Sequence, residues 1–140
     1  MKRTILFVDD DPKRISSYTD FLRESGYTTI VETDSTRVLS IFKEKQNEID
    51  LIILDMMLPT ERHLKEETDY GRRTGLYLLR QIRKISEDIP IMVFTVVRDL
   101  SLRQETEKLG ASPYLEKPIL PSRLMEEIER KLGECNKGLQ

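Results

Sequence analysis

The chain has 140 residues, 38% of them hydrophobic and 34% charged, with a formal net charge of -2, which fits one globular domain built on a single core. The charges alternate in sign, so there is no basic stripe to bind nucleic acid directly, and no apolar run is long enough for a signal sequence or a membrane span. Cys135 and His63 are each the only residue of their kind, which excludes an internal disulfide and a Cys/His zinc site and leaves a cytoplasmic protein as the expectation.

Residues 4–8, Thr-Ile-Leu-Phe-Val, read as a buried strand that runs into Asp9-Asp10-Asp11-Pro12. Asp11 before Pro12 marks a helix start: the carboxylate accepts a backbone N–H, and proline fits a first-turn position whose donor has no partner anyway. Asp9 and Asp10 remain, adjacent acids at a strand end that repel each other unless a cation or solvent screens them. The helix carries Ile15, Tyr18, Phe21 and Leu22 on one face and ends near Gly26. Residues 27–31 are predicted as a strand at the sheet edge, being less apolar than the others. Asp34 or Ser35 then caps a second helix, with Val38, Leu39, Ile41 and Phe42 inward and a polar end at Asn47.

Leu51 to Leu54 form a short apolar run, predicted as a strand buried on both faces, and Asp55 sits where it leaves the core. In parallel sheets the C-terminal strand ends line the crevice where ligands bind, so this carboxylate is placed for chemistry. Residues 60–74 are dense in charge of both signs, with Leu64 and Tyr70 their only large apolar side chains. So long a connection is usually functional or disordered; here it is expected to govern partner choice rather than chemistry, with His63 facing solvent. A third helix over about 75–86 buries Leu78, Leu79, Ile82 and Ile85, and residues 91–95 form a fourth strand ending on Thr95. The helix over about 101–109 has a thin stripe, Leu102 and Leu109, and is expected to be marginal and movable. A short strand at 113–116 is closed by Lys117-Pro118. The last helix, over about 121–132, turns Leu124, Met125, Ile128 and Leu132 inward, and Gly133 is expected to end it. The expected layout is a domain over residues 1–132 with an inserted loop at about 60–74 and a frayed tail at 133–140, where Cys135 is an incidental thiol.

Five strands alternating with helices give an α/β fold, a doubly wound parallel sheet with helices on both faces. Because parallel strands point the same way, Asp9, Asp10, Asp55, Thr95 and Lys117 gather at one sheet edge. Carboxylates of this kind supply the hard oxygens that Mg2+ accepts, and phosphoryl transfer needs mainly positioning and charge neutralisation from a cation, a lysine and a hydroxyl. Asp55 is then the candidate nucleophile.

The motifs Ile5-Leu6-Phe7-Val8-Asp9-Asp10-Asp11-Pro12, Leu51-Ile52-Ile53-Leu54-Asp55-Met56-Met57-Leu58-Pro59, Phe94-Thr95 and Glu116-Lys117-Pro118 closely resemble the CheY-like receiver domain of two-component response regulators. The resemblance implies a flavodoxin-like strand order 2-1-3-4-5 with its site at the switch point between the first and third strands. It implies that Asp55 takes a phosphoryl group from a histidine kinase or histidine phosphotransfer protein and that the protein signals to an unknown downstream protein by conformational change; because the chain ends soon after its fifth helix, a stand-alone receiver is expected. By the same resemblance, Asp10, Asp55 and the backbone carbonyl of Met57 bind Mg2+, with Asp9 acting through water. Lys117 pairs with the carboxylate and then with the phosphoryl oxygens. Thr95 reorients toward the phosphoryl group, and Tyr114 turns inward in response. Homodimerisation is left open, and no output enzyme domain is expected.

This sequence departs from the family at three places. Val96 stands where receivers usually have a small residue and is expected to crowd the site. Met57 and Val97, both apolar, stand at positions that influence water access to the acyl phosphate. The loop after Pro59 is longer than usual. Two other readings compete: an unphosphorylated receiver-like interaction module, and an aspartyl-phosphate phosphatase of the haloacid dehalogenase type. The phosphatase family places an acid two residues after its nucleophile, where this chain has Met57. A nucleotide-binding fold is disfavoured because no glycine-rich loop follows the first strand.

Overall fold

The computed structural model describes residues 3–65 and 67–138; the side chains of His63 and of residues 134–138 lie outside the description, as do the expectations for His63 and Cys135. Five parallel strands, β1 (Thr4–Val8), β2 (Thr28–Glu32), β3 (Leu51–Leu54), β4 (Ile91–Thr95) and β5 (Ala111–Glu116), pair in the order β2-β1-β3-β4-β5. Five helices connect or follow them: α1 (Pro12–Glu24), α2 (Val38–Lys45), α3 (Thr74–Ile85), α4 (Leu100–Lys108) and α5 (Pro121–Gly138). β2 is at the edge, as its composition predicts, and β3 is at the centre. No helix among the described residues is long and apolar enough to cross a membrane.

Strand alternation divides the core between the two sheet faces. Leu6, Val8, Ile52, Leu54, Ile91 and Val93 pack with Val38, Phe42, Leu79, Ile82 and Leu102 of α2, α3 and α4. Ile5, Phe7, Leu51, Ile53, Met92 and Phe94 pack with Ile15, Tyr18, Leu22, Leu124, Ile128 and Leu132 of α1 and α5. β1, β3 and β4 thus bury both faces, which is why they read as continuous apolar runs rather than alternating ones. α4 buries only Leu102 and Thr106, in keeping with a weakly held helix.

Local chemistry sets the helix starts. The Asp11 side chain accepts from the Arg14 N–H, and Asp99 accepts from the Leu102 N–H, so α4 begins a residue earlier than its apolar stripe suggests. Asp34 caps a 3-10 turn over Ser35–Arg37, and the α-helix proper begins only at Val38. Two expectations are corrected at the C-terminal side. β5 starts at Ala111, and α5 runs through Gly133 to Gly138 instead of ending at Leu132. Gly133 keeps a negative φ, and a glycine inside a helix costs only about 1 kcal/mol relative to alanine, too little to stop a helix that no proline interrupts.

The described residues of the 60–74 segment are docked, not splayed. A 3-10 turn spans Arg62–Leu64, Thr68 is fully buried with its hydroxyl on the Leu64 carbonyl (2.8 Å), and Arg73 on the approach to α3 pairs with Glu105 of α4 (3.0 Å). Leu64 is half-buried, while Tyr70 projects outward, 73% exposed. The chain then enters α3 in direct contact with the end of β3: a Cβ on Gly75 would lie 2.2 Å from the Asp55 carbonyl oxygen and 2.7 Å from the Met56 Cα. Backbone cannot yield to such a contact. Gly75→Ala is therefore expected to destabilise the protein by roughly 2 kcal/mol or more, as overpacking does. Urea unfolding measures this, and a parental midpoint would contradict the contact.

Candidate functional site

Strand register aligns the chemistry. Val8 pairs with Leu54, so Asp9 and Asp55 leave the sheet side by side, and Thr95 pairs with Glu116, so Lys117 follows at the same level. Backbone bonds fix these exits: the Asp55 N–H donates to the Val8 carbonyl (3.1 Å), and the Lys117 N–H donates to the Thr95 carbonyl (2.8 Å).

The Lys117 ammonium joins two buried carboxylates. It donates to Asp9 Oδ2 and, at 3.1 Å, to Asp55 Oδ2, and it lies 5.4 Å from the centre of the Phe94 ring. Each carboxylate has a second donor, Asp9 from the Asp11 N–H (3.0 Å) and Asp55 from the Met57 N–H (3.1 Å). Asp10 is exposed beside them, and oxygens of Asp9, Asp10 and Asp55 lie within 4.8 Å of one another. Clustered hard anionic oxygens on an open pocket suit a small divalent cation such as Mg2+, which retains water on its other positions. The pocket has a volume of about 620 Å³ and is lined by Asp9, Asp10, Asp11, Arg14, Ile15, Tyr18, Asp55, Met57, Val96, Lys117 and Pro118.

Burial raises the Asp55 pKa, and Asp9 adds to the rise, while Lys117, the Thr95 hydroxyl and the Met57 N–H oppose it. Burial alone would lower the Lys117 pKa, but the Asp55 and Asp9 carboxylates overcome it and raise the pKa. The Tyr114 phenol is pushed up to about 12, by burial first and then by the acids Asp99, Glu116 and Asp55, so its O–H stays intact at neutral pH.

The structure thus brings together Asp9, Asp10, Asp55, Met57 and Lys117. Thr95 is fully buried, its Oγ1 accepting from the Val97 N–H (3.3 Å). Three expectations are corrected. Tyr114 already points inward, donating to the Val97 carbonyl (2.6 Å). Val96 sits on the pocket rim, 51% exposed, and leaves the pocket open. Val97, two residues past the end of β4, is 4% exposed and packs in the core on the α2–α3–α4 face, so it does not line the pocket.

Several site residues were not singled out in the sequence. Tyr18 reads there as core, yet its hydroxyl donates to the Ile119 carbonyl (2.6 Å) and accepts from the Ile119 N–H (3.3 Å), bracing the segment just after Lys117. Arg14 lines the pocket and pairs with Asp11 (3.1 Å). The signal for both was their four-residue spacing on the α1 face that follows the acids. Gly75 carried no such signal, since its contact exists only once α3 is folded against β3.

A family model described as "Response regulator receiver domain" matches residues 5–129. The transcriptional regulatory protein BaeR of Escherichia coli O6:H1 is 34% identical over 131 residues, covering 94% of this chain and 48% of the relative. The probable transcriptional regulator ycf27 of Porphyridium aerugineum is 31% identical over 98% of this chain and 51% of its own length. This chain spans about half the length of these curated relatives. Among solved structures, a CheY-like response regulator receiver domain protein from Methanospirillum hungatei superposes with a TM-score of 0.80 at 27% identity, covering 99% of both chains. A receiver domain protein from Clostridium thermocellum gives 0.81 at 28% identity, again over 99% of both.

The Asp55 shift makes a prediction about stability. Its folded pKa lies above the unfolded one, so below both values the group contributes nothing, and above both its ionised form makes folding less favourable. Asp55→Asn is therefore expected to melt at a higher temperature than the parent at pH 7, with the gain shrinking as pH falls toward 4. A gain that is independent of pH, or a loss at pH 7, would contradict the assignment.

Proposed function

The chain belongs to the response regulator receiver domain family, and from that premise we propose that it accepts a phosphoryl group on Asp55 in two-component signalling, with Mg2+ as cofactor. One observation carries the reading: a buried aspartate held by the Lys117 ammonium at the floor of an acidic pocket that opens to solvent.

The donor is a phosphohistidine of a histidine kinase or histidine phosphotransfer protein. An Asp55 carboxylate oxygen attacks phosphorus; the new O–P bond forms as the P–N bond breaks, and the electron pair leaves with the imidazole, which takes a proton from solvent. Lys117 moves its ammonium from the carboxylate to the phosphoryl oxygens. Asp9, Asp10, Asp55 and the Met57 carbonyl would hold Mg2+. When bound, the ion neutralises charge on the transferring group.

Signalling follows from what the Thr95 hydroxyl gives up. It accepts from the Val97 N–H, and the Val97 carbonyl accepts from Tyr114, so turning the hydroxyl toward a phosphoryl oxygen disturbs the β4–α4 connection. α4 is lightly anchored, so the disturbance spreads to the surface that α4 and β5 present to a downstream protein. The competing reading, an unphosphorylated interaction module, requires the same pocket to be inert toward a phosphodonor.

With Mg2+ and acetyl phosphate, the protein is expected to become labelled, and reductive trapping should map the label to Asp55. Full labelling of Asp55→Asn would exclude this acceptor, and an inert parent would favour the interaction module. The acyl phosphate is also expected to be long-lived, because Met57, 41% exposed on the rim, offers an attacking water no hydrogen bond. Met57→Asn should speed decay several-fold as followed by loss of label; parental decay would remove Met57 from the account.

A further inference from the structure

We propose that Thr74 is a positioning residue for the cation side of this site, so that the base of the 60–74 segment belongs to the phosphoryl-accepting machinery. The proposal rests on the Asp55 reading above. It begins from the three residues that follow Asp55, whose backbone groups are held from several directions. The Met57 N–H donates to Asp55 Oδ1 (3.1 Å), and the Met56 carbonyl accepts from the Gly75 N–H (3.0 Å). The Leu58 N–H donates to the Gly71 carbonyl (3.0 Å), and the Leu58 carbonyl accepts from Thr74 Oγ1 (2.7 Å). Among the described residues, no hydrogen bond is made to the Met57 carbonyl.

Peptide geometry turns these bonds into an aim. The Met57 C=O and the Leu58 N–H share one planar trans peptide and point in opposite directions, so anchoring the N–H on Gly71 sends the carbonyl away from the inserted segment. Thr74 clamps the next peptide plane, so Leu58 cannot rotate and carry the first plane with it. Both anchors are buried: Thr74 and Leu58 are almost fully enclosed, and Gly71 has φ +99° with space for no Cβ, which would lie 2.9 Å from the Leu58 carbonyl oxygen. A freely tolerated surface insertion would not need its last residues to hold the backbone beside Asp55. The exposed tip around Tyr70 makes none of these bonds.

The test is a Mg2+ titration followed by the amide NMR shifts of residues 55–58, with thermal unfolding in metal-free buffer alongside. Thr74→Val keeps the shape and loses the hydroxyl; it is expected to bind Mg2+ roughly tenfold more weakly, the low end for outer partners of metal ligands. Thr74→Ser should restore nearly parental affinity, which a merely structural role would not require. Should Thr74→Val fail to fold, Gly71→Ala disturbs the same peptide and carries the same expectation. Parental Mg2+ affinity in the folded variant overturns this proposal alone. Absence of Mg2+ binding by the parent overturns the acceptor reading and this proposal with it.

Discussion

The structure depends on one ammonium group between two buried carboxylates. Asp9 and Asp55 are adjacent acids almost removed from water, an arrangement that is strongly unfavourable unless a cation compensates it. Lys117 supplies that cation by reaching across the sheet edge to both. A lysine is well suited, because its compact charge sits on a flexible stem and can shift between neighbouring anions without leaving the pocket. The site is thus charged and paired at rest, and in the proposed reaction that pairing is exchanged for a divalent cation and a phosphoryl group.

Everything else in the fold brings these three side chains together. Parallel strands put every C-terminal end at one edge, and the order β2-β1-β3-β4-β5 places β1 beside β3 so that Asp9 and Asp55 are neighbours. Lys117, just past the end of β5, reaches the site over β4, whose Phe94 ring its ammonium approaches and whose Thr95 carbonyl fixes its backbone. Tyr18 braces the following segment from α1. The two core clusters pack both faces of the sheet beneath this edge, whereas α4 buries only Leu102 and Thr106.

Much of this was legible in the sequence, for stated reasons. The apolar runs of β1, β3 and β4 mark strands buried on both faces, and the polar residue ending each one marks the site. Asp11 and Pro12 mark the start of α1 because capping is local chemistry. What stayed hidden depends on tertiary contact. Nothing in residues 60–74 announces that Thr68 is buried or that Thr74 holds Leu58, since both facts arise only in the folded chain. The resemblance put Val97 at a position that influences water access, but beyond the end of β4 the Val97 side chain turns into the core and Val96 takes the rim. Tyr114 looked poised to move, whereas its inward position is already satisfied by the Val97 carbonyl. The extension of α5 past Gly133 shows the limit of a glycine as a stop signal when no left-handed turn is formed.

The central claim is that Asp55, the acids beside it and Lys117 form a site for a phosphoryl group. Beryllofluoride, which binds a carboxylate in place of a phosphoryl group, tests this without any kinase. In 19F NMR with Mg2+ present, the parent should give bound fluoride resonances that disappear in Asp55→Asn and weaken in Lys117→Ala. No bound resonances in the parent, or unchanged resonances in Asp55→Asn, would contradict the account.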